Sequence, residues 1–233
     1  MAKLIIIDDE YIMVKMIQGQ LGRINSAFAE LDTNGSCKNV LCLTRDGKEY
    51  QFTNFNPNGD DPDAFTSVFQ NITLKELEKL LYKTLVEYRE ERVLFLIDFL
   101  LRSKDINSPS VAAYIEKGEF SAELYAILAR FQNNMNPGLP GTVEPDNFGF
   151  IMFSRGEASI NIITNRLFAY RDTLTEAEKE TLPQDYCIGI NIAWCLNRCD
   201  KTDENLHVIS DQPGCEAPLV LPSSYKSYIE ELS

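Results

Sequence analysis

Two short aliphatic runs, each stopped by an acid, constrain this chain more than any other feature. Lys3–Ile7 is followed at once by Asp8-Asp9-Glu10, and Val93–Ile97 is followed by Asp98. An unbroken apolar run lacks the alternation of a half-exposed strand. Each therefore reads as a strand buried on both faces, the habit of a parallel sheet covered by helices. Open sheets of that kind bind ligands at their carboxyl edge, which is where these acids fall. The next segment, Tyr11 to Leu31, carries Ile12, Met16, Ile17, Leu21, Ile24 and Phe28 at near-helical spacing, and Asp32-Thr33-Asn34-Gly35 is its stop. Strand, acidic loop and amphipathic helix together open an α/β unit.

Further along, Val40–Thr44 and Glu49–Thr53 flank Arg45-Asp46-Gly47-Lys48, and Asp-Gly predicts a β-hairpin over about 39–55. Thr73-Leu-Lys-Glu76 is a capping box that opens a helix through about Tyr88, with Leu74, Leu77, Leu80, Leu81 and Leu85 on its apolar stripe. Ser110 to Phe131 reads as helix with a break near Gly118. Phe148 to Phe153 is a third buried-strand candidate, and Ile160 to Tyr170 and Thr175 to Leu182, the latter opened by Thr175-x-x-Glu178, read as helices. Tyr186 to Leu196 is another apolar run, Pro218–Pro222 a short last strand, and Ser223 to Leu232 a closing helix.

Charge and cysteine usage narrow the function classes. With 35 acidic and 22 basic residues the formal net charge is −13. That field repels a phosphate backbone, and no local basic patch offsets it, so no nucleic-acid partner is expected. No segment reaches the ~20 apolar residues of a membrane span, and the opening run is too short for a signal peptide. The expectation is a cytoplasmic protein with its six cysteines free and no membrane partner. Cys195, Cys199, His207 and Cys215 have the ligand types for zinc, but their spacing fits no common zinc knuckle, and free thiols are the alternative. Asn56–Asp63 is an acidic loop without the closing glutamate of a calcium-binding EF-hand.

Taken together, these blocks resemble a response-regulator receiver domain. Leu4–Glu10 is similar to the first strand and acidic pocket of that family, and Val93–Asp98 to its third strand with the phospho-accepting aspartate. Phe150–Ser154 resembles the fourth strand ending in Ser or Thr, and Leu219–Ser223 with Tyr225–Leu232 the fifth strand and last helix. The blocks cover less than half of the chain. The resemblance implies a flavodoxin-like three-layer α/β sandwich with a mainly parallel sheet, one domain over 1–233. It carries an inserted β-hairpin and further insertions, at about 36–70 and 157–216. It implies that Asp8, Asp9 and Asp98 hold Mg²⁺ with the backbone carbonyl of Leu100. Asp98 is then the phosphoacceptor and Ser154 the switch hydroxyl. The implied partner is a sensor histidine kinase or another signalling protein, with a homodimer left open. No chemistry beyond the chain's own phosphorylation is implied, and no output domain is expected after the last helix.

The chain departs from the family in two respects. The family places a lysine before the proline that follows the fifth strand, and here that position is Leu221. Losing a charge-assisted contact to a phosphoryl group weakens any coupling to a conformational change. The spacing is stretched, and Ile188–Leu196 stands as an alternative fourth strand, ending at Asn197 in place of Ser154. Three functional expectations follow. They are a working phosphoryl pocket, a phosphorylation-independent pseudo-receiver that binds proteins, and an unrelated α/β enzyme such as a metal-dependent phosphatase. The last lacks an Asp-x-Asp nucleophile, because Phe-Leu-Leu follows Asp98. In each case, an acid at the end of a strand also has a plain role as a cap for the next helix.

Overall fold

A computed structural model describes residues 2–59, 67–69, 71–99, 101, 119–132, 148–153, 160–182, 194–195, 206–208, 219–222 and 230. Five strands form one sheet: β1 (Ala2–Ile7), β2 (Val40–Asp46), β3 (Glu49–Asn54), β4 (Arg92–Asp98) and β5 (Phe148–Phe153), in the order β3-β2-β1-β4-β5. β1 pairs in parallel with β2 and β4, and β4 in parallel with β5, while β3 runs antiparallel to β2 at the edge. The two apolar runs are thus neighbours at the centre of the sheet. Leu4, Ile5, Ile6, Ile7, Val93, Leu94, Phe95, Leu96 and Ile97 are all buried, and each such side chain withdrawn from water contributes about 1.5–3 kcal/mol.

Helices connect and cover these strands. They are α1 (Tyr11–Ile24), α2 (Leu74–Glu87), α3 (Glu119–Gln132), α4 (Ile160–Thr173) and the single turn α5 (Glu176–Lys179). α3 lies against β4 and β5, α2 against β3 and α3, and α4 against α3. Both capping boxes close as the sequence predicts. Thr73 Oγ1 accepts from the Glu76 N–H at 3.2 Å while Glu76 Oε2 accepts from the Thr73 N–H at 2.8 Å, and Thr175 and Glu178 repeat the pattern. The helix that Thr175 opens is shorter than the expected run to Leu182.

α1 ends at Ile24, short of the expected Leu31. Asn25 leaves the helical region at φ −130°, ψ 108°, and its side chain accepts from the Ala27 N–H, so a 3₁₀ turn (Ser26–Phe28) follows and buries Phe28. The near-helical spacing of Phe28 survives because the turn carries it back onto the same core.

The hairpin is built into the sheet and is not an appendage. Val40, Leu41, Cys42 and Leu43 are buried beside β1, so the first hairpin strand is itself a core strand. Its partner β3 is exposed or half-buried along its length, as suits an edge. Asp46 pairs with Glu49, leaving Gly47 and Lys48 as the loop, and Gly47 adopts φ +57°. That is the conformation for which glycine is needed.

The end of the chain corrects another expectation. Leu219–Pro222 (β8) does not extend the main sheet as a fifth parallel strand. It pairs antiparallel with Trp194–Cys195 (β6) and Leu206–Val208 (β7) in a separate three-stranded sheet of order β6-β8-β7. β7 and β8 are joined by ten residues, fewer than the dozen or more that a parallel crossover needs, so these two strands pair antiparallel. The choice of fourth strand is settled by the same pairing. Phe148–Phe153 lies beside β4, and the Trp194–Cys195 stretch belongs to the smaller sheet. The expected closing helix and Asn197 lie outside the described residues.

Candidate functional site

The register of the central strands brings the acids together. Ile7 pairs with Ile97, so Asp8 and Asp98 leave adjacent parallel strands at the same level, about 4.8 Å apart in the hydrogen-bonding direction. Asp9 follows in the turn that enters α1. One carboxylate oxygen from each of Asp8, Asp9 and Asp98 lies within 4.8 Å of the others, and among the described residues no other three His, Cys, Asp or Glu side chains converge in this way. The site is therefore assembled from two strand ends whose positions are dictated by completely buried aliphatic side chains.

Burial differs across the three acids. Asp8 is 2% exposed, while Asp9 and Asp98 are half-buried. Asp8 accepts a hydrogen bond from the Glu10 N–H at 2.8 Å. Burial holds its carboxyl well above the usual carboxylate range. The Asp98 charge pushes it further in the same direction, and Asp9 and Glu10 add to this, against the lowering effect of the Glu10 N–H. Close carboxylates of this kind are stabilised by a proton or by a cation. The donor set is all oxygen, which suits a hard divalent ion better than a soft one. The three side chains could hold a metal ion.

Asp98 is also held through its main chain. The hydroxyl of Ser121, in the first turn of α3, donates to the Asp98 carbonyl at 2.8 Å, and Ser121 is fully buried. The sequence reading did not single out this residue. The available signal was a small hydroxyl residue in the first turn of a helix that follows an acid-ended strand. Nothing in sequence spacing connects two residues separated by 23 positions.

Of the residues expected at the site, Asp8, Asp9 and Asp98 come together. Leu100 and Ser154 lie outside the described residues. The backbone of Phe153, which precedes Ser154, pairs with Asp98. Leu221 lies in β8, in the smaller sheet. Of the residues considered for zinc, Cys199 and Cys215 lie outside the described residues, as do the side chains of Cys195 and His207. Cys37 and Cys42 are free and buried. Burial pushes their thiols up to about 11 and about 12. Among the described residues, no helix is long and apolar enough to cross a membrane. No protein-family model, curated protein or solved structure matches the chain.

Proposed function

We propose that this chain is a receiver-like signalling module whose acidic pocket binds Mg²⁺ through Asp8, Asp9 and Asp98 and accepts a phosphoryl group on Asp98. The observation that carries the reading is the convergence of those three carboxylates within 4.8 Å at the carboxyl ends of two adjacent parallel strands. Strand order supports it too. The parallel strands run β2-β1-β4-β5, which matches the first four positions of a flavodoxin-like sheet, and a three-layer sandwich is proposed on that basis.

Within this reading the residues divide the work. Asp8 and Asp9 supply carboxylate oxygens for a cation, and the end of β1 and the turn after it hold them in place. A carboxylate oxygen of Asp98 attacks the phosphorus of a phosphodonor. The new bond is an acyl phosphate, and the bond from phosphorus to the donor's leaving group breaks, its electron pair departing with that group. Bound Mg²⁺ supplies neutralisation of the charge on the transferring group, which needs positioning more than covalent assistance. The phosphodonor in the cell is a sensor histidine kinase, and the output is contact with another protein.

A second reading is a pseudo-receiver that binds proteins without phosphorylation. It is favoured by Leu221, which stands where the family has a lysine, and by the placement of its strand in a separate antiparallel sheet.

The test is to add Mg²⁺ with beryllofluoride to the protein and to Asp98→Asn, and to expose both to acetyl phosphate before intact-mass measurement. The active reading expects stabilisation by the two ligands together and a phosphate adduct, both absent from Asp98→Asn. Stabilisation by Mg²⁺ alone with no adduct selects the pseudo-receiver. A protein indifferent to Mg²⁺ refutes the pocket.

A further inference from the structure

A buried hydroxyl ties α3 to the acidic pocket. Ser121 has no exposed surface, and a buried hydroxyl without a partner is costly. Its donation goes to the main-chain carbonyl of Asp98 at 2.8 Å. Asp98 is the last residue of β4 and pairs with Phe153 of β5, and the chain leaves the sheet directly after it. A hydrogen bond to that carbonyl fixes the peptide plane between Asp98 and Phe99. It thereby fixes the direction in which the Asp98 side chain leaves the strand.

The element that delivers this hydroxyl is itself immobilised. Ser121, Leu124, Tyr125 and Leu128 recur at helical spacing on one face of α3, and all four are buried. The Tyr125 ring meets Phe150 of β5 edge-on, with centroids 4.8 Å apart. Phe99, directly after Asp98, is also fully buried. The hydroxyl and the carbonyl that it meets are thus carried by separate, well-packed parts of the molecule. This is the arrangement by which outer residues orient a metal ligand.

We infer that Ser121 is a positioning residue for cation binding, holding the main chain of Asp98 so that its carboxylate is aimed at those of Asp8 and Asp9. The inference rests on the reading of that pocket as a cation site. Ser121 does not touch the cation. Its effect runs through Asp98 alone, and this separates it from a general contribution to stability.

The experiment is calorimetric titration of the full chain with Mn²⁺ and Mg²⁺, using the wild type, Ser121→Ala, Ser121→Cys, Asp98→Asn, the Ser121→Ala/Asp98→Asn pair and Leu128→Ala. Near-ultraviolet circular dichroism verifies that each is folded. Ser121→Ala is expected to bind about tenfold more weakly, the lower end of the range for loss of an outer-shell partner. Ser121→Cys, which keeps a weaker donor of similar size, falls between the two. In the Asp98→Asn background, Ser121→Ala should cause no additional loss. Leu128→Ala, a cavity on the same helix face, should lower the melting temperature and leave affinity within twofold of wild type. Wild-type affinity in Ser121→Ala, or an equal loss in Leu128→Ala, overturns the positioning role and leaves the pocket reading intact. A wild-type protein that binds neither ion overturns both.

Discussion

Asp98→Asn should stabilise the protein when no divalent cation is present, although it removes a group from the centre of the proposed site. Full charges 4.8 Å apart, the outer bound on the spacing of the triad's oxygens, repel by about 3.5 kcal/mol at an effective dielectric of roughly 20. Burial and the Asp98 charge raise the pKa of Asp8, which favours its protonated form and relieves part of this repulsion. The Asp9–Asp98 pair remains, and both side chains are half-buried. Water screening at such positions reduces the repulsion to about 1 kcal/mol. The expected gain for a chain of this size is about 2–4 °C in melting temperature, measured by scanning calorimetry in excess chelator. With Mg²⁺ at about a hundredfold above its dissociation constant, the wild type gains about 2.7 kcal/mol from binding, and the order of the two melting temperatures reverses. An ordinary structural carboxylate behaves oppositely, because its removal costs hydrogen bonds and yields no stabilisation. Destabilisation of the cation-free protein by Asp98→Asn, or a Mg²⁺ response that survives the substitution, would refute the electrostatic reasoning.

Three further outcomes are expected. Because the folded-state pKa of Asp8 lies above its unfolded value, its contribution is fully present below the unfolded pKa and is lost as pH rises through the folded pKa. In chelator, the wild-type melting temperature should therefore fall across that window relative to Asp8→Asn, and parallel profiles for the two proteins contradict the assignment. Gly47→Ala should lower stability by about 1 kcal/mol, since Gly47 sits at φ +57° in the hairpin loop and a Cβ strains that conformation. Denaturant melts with an unchanged slope test this, and a neutral result argues against the turn geometry. Cys37 and Cys42, with thiols pushed up to about 11 and about 12, should resist iodoacetamide at neutral pH in the native protein and react on unfolding, because the thiolate is the nucleophile. Peptide mapping of the label locates the modified residues, and rapid native labelling of either contradicts their burial.

What the sequence determined by itself is local and periodic. The runs Leu4–Ile7 and Val93–Ile97 became central buried strands because an unbroken aliphatic segment has no face to offer water. Thr73 and Glu76, and Thr175 and Glu178, announced their helix starts because a capping box is closed within four consecutive residues. Asp8, Asp9 and Asp98 were legible as candidates for the same reason, since they stand at the carboxyl ends of the two strands that place them. Tertiary structure decided everything that depends on which segments meet. It made Val40–Leu43 a core strand beside β1, where the sequence reading had an inserted hairpin. It placed Leu219–Pro222 in a second sheet, where a fifth parallel strand had been expected. Pairing partners of short strands are set by chain connection and competing edges, neither of which leaves a periodic mark. The register of Ile7 with Ile97 turned three acids into one cluster, and the packing of α3 on β4 and β5 brought the Ser121 hydroxyl to the Asp98 carbonyl. That bond spans 23 positions. Its partners share no local pattern, so only the folded chain reveals it.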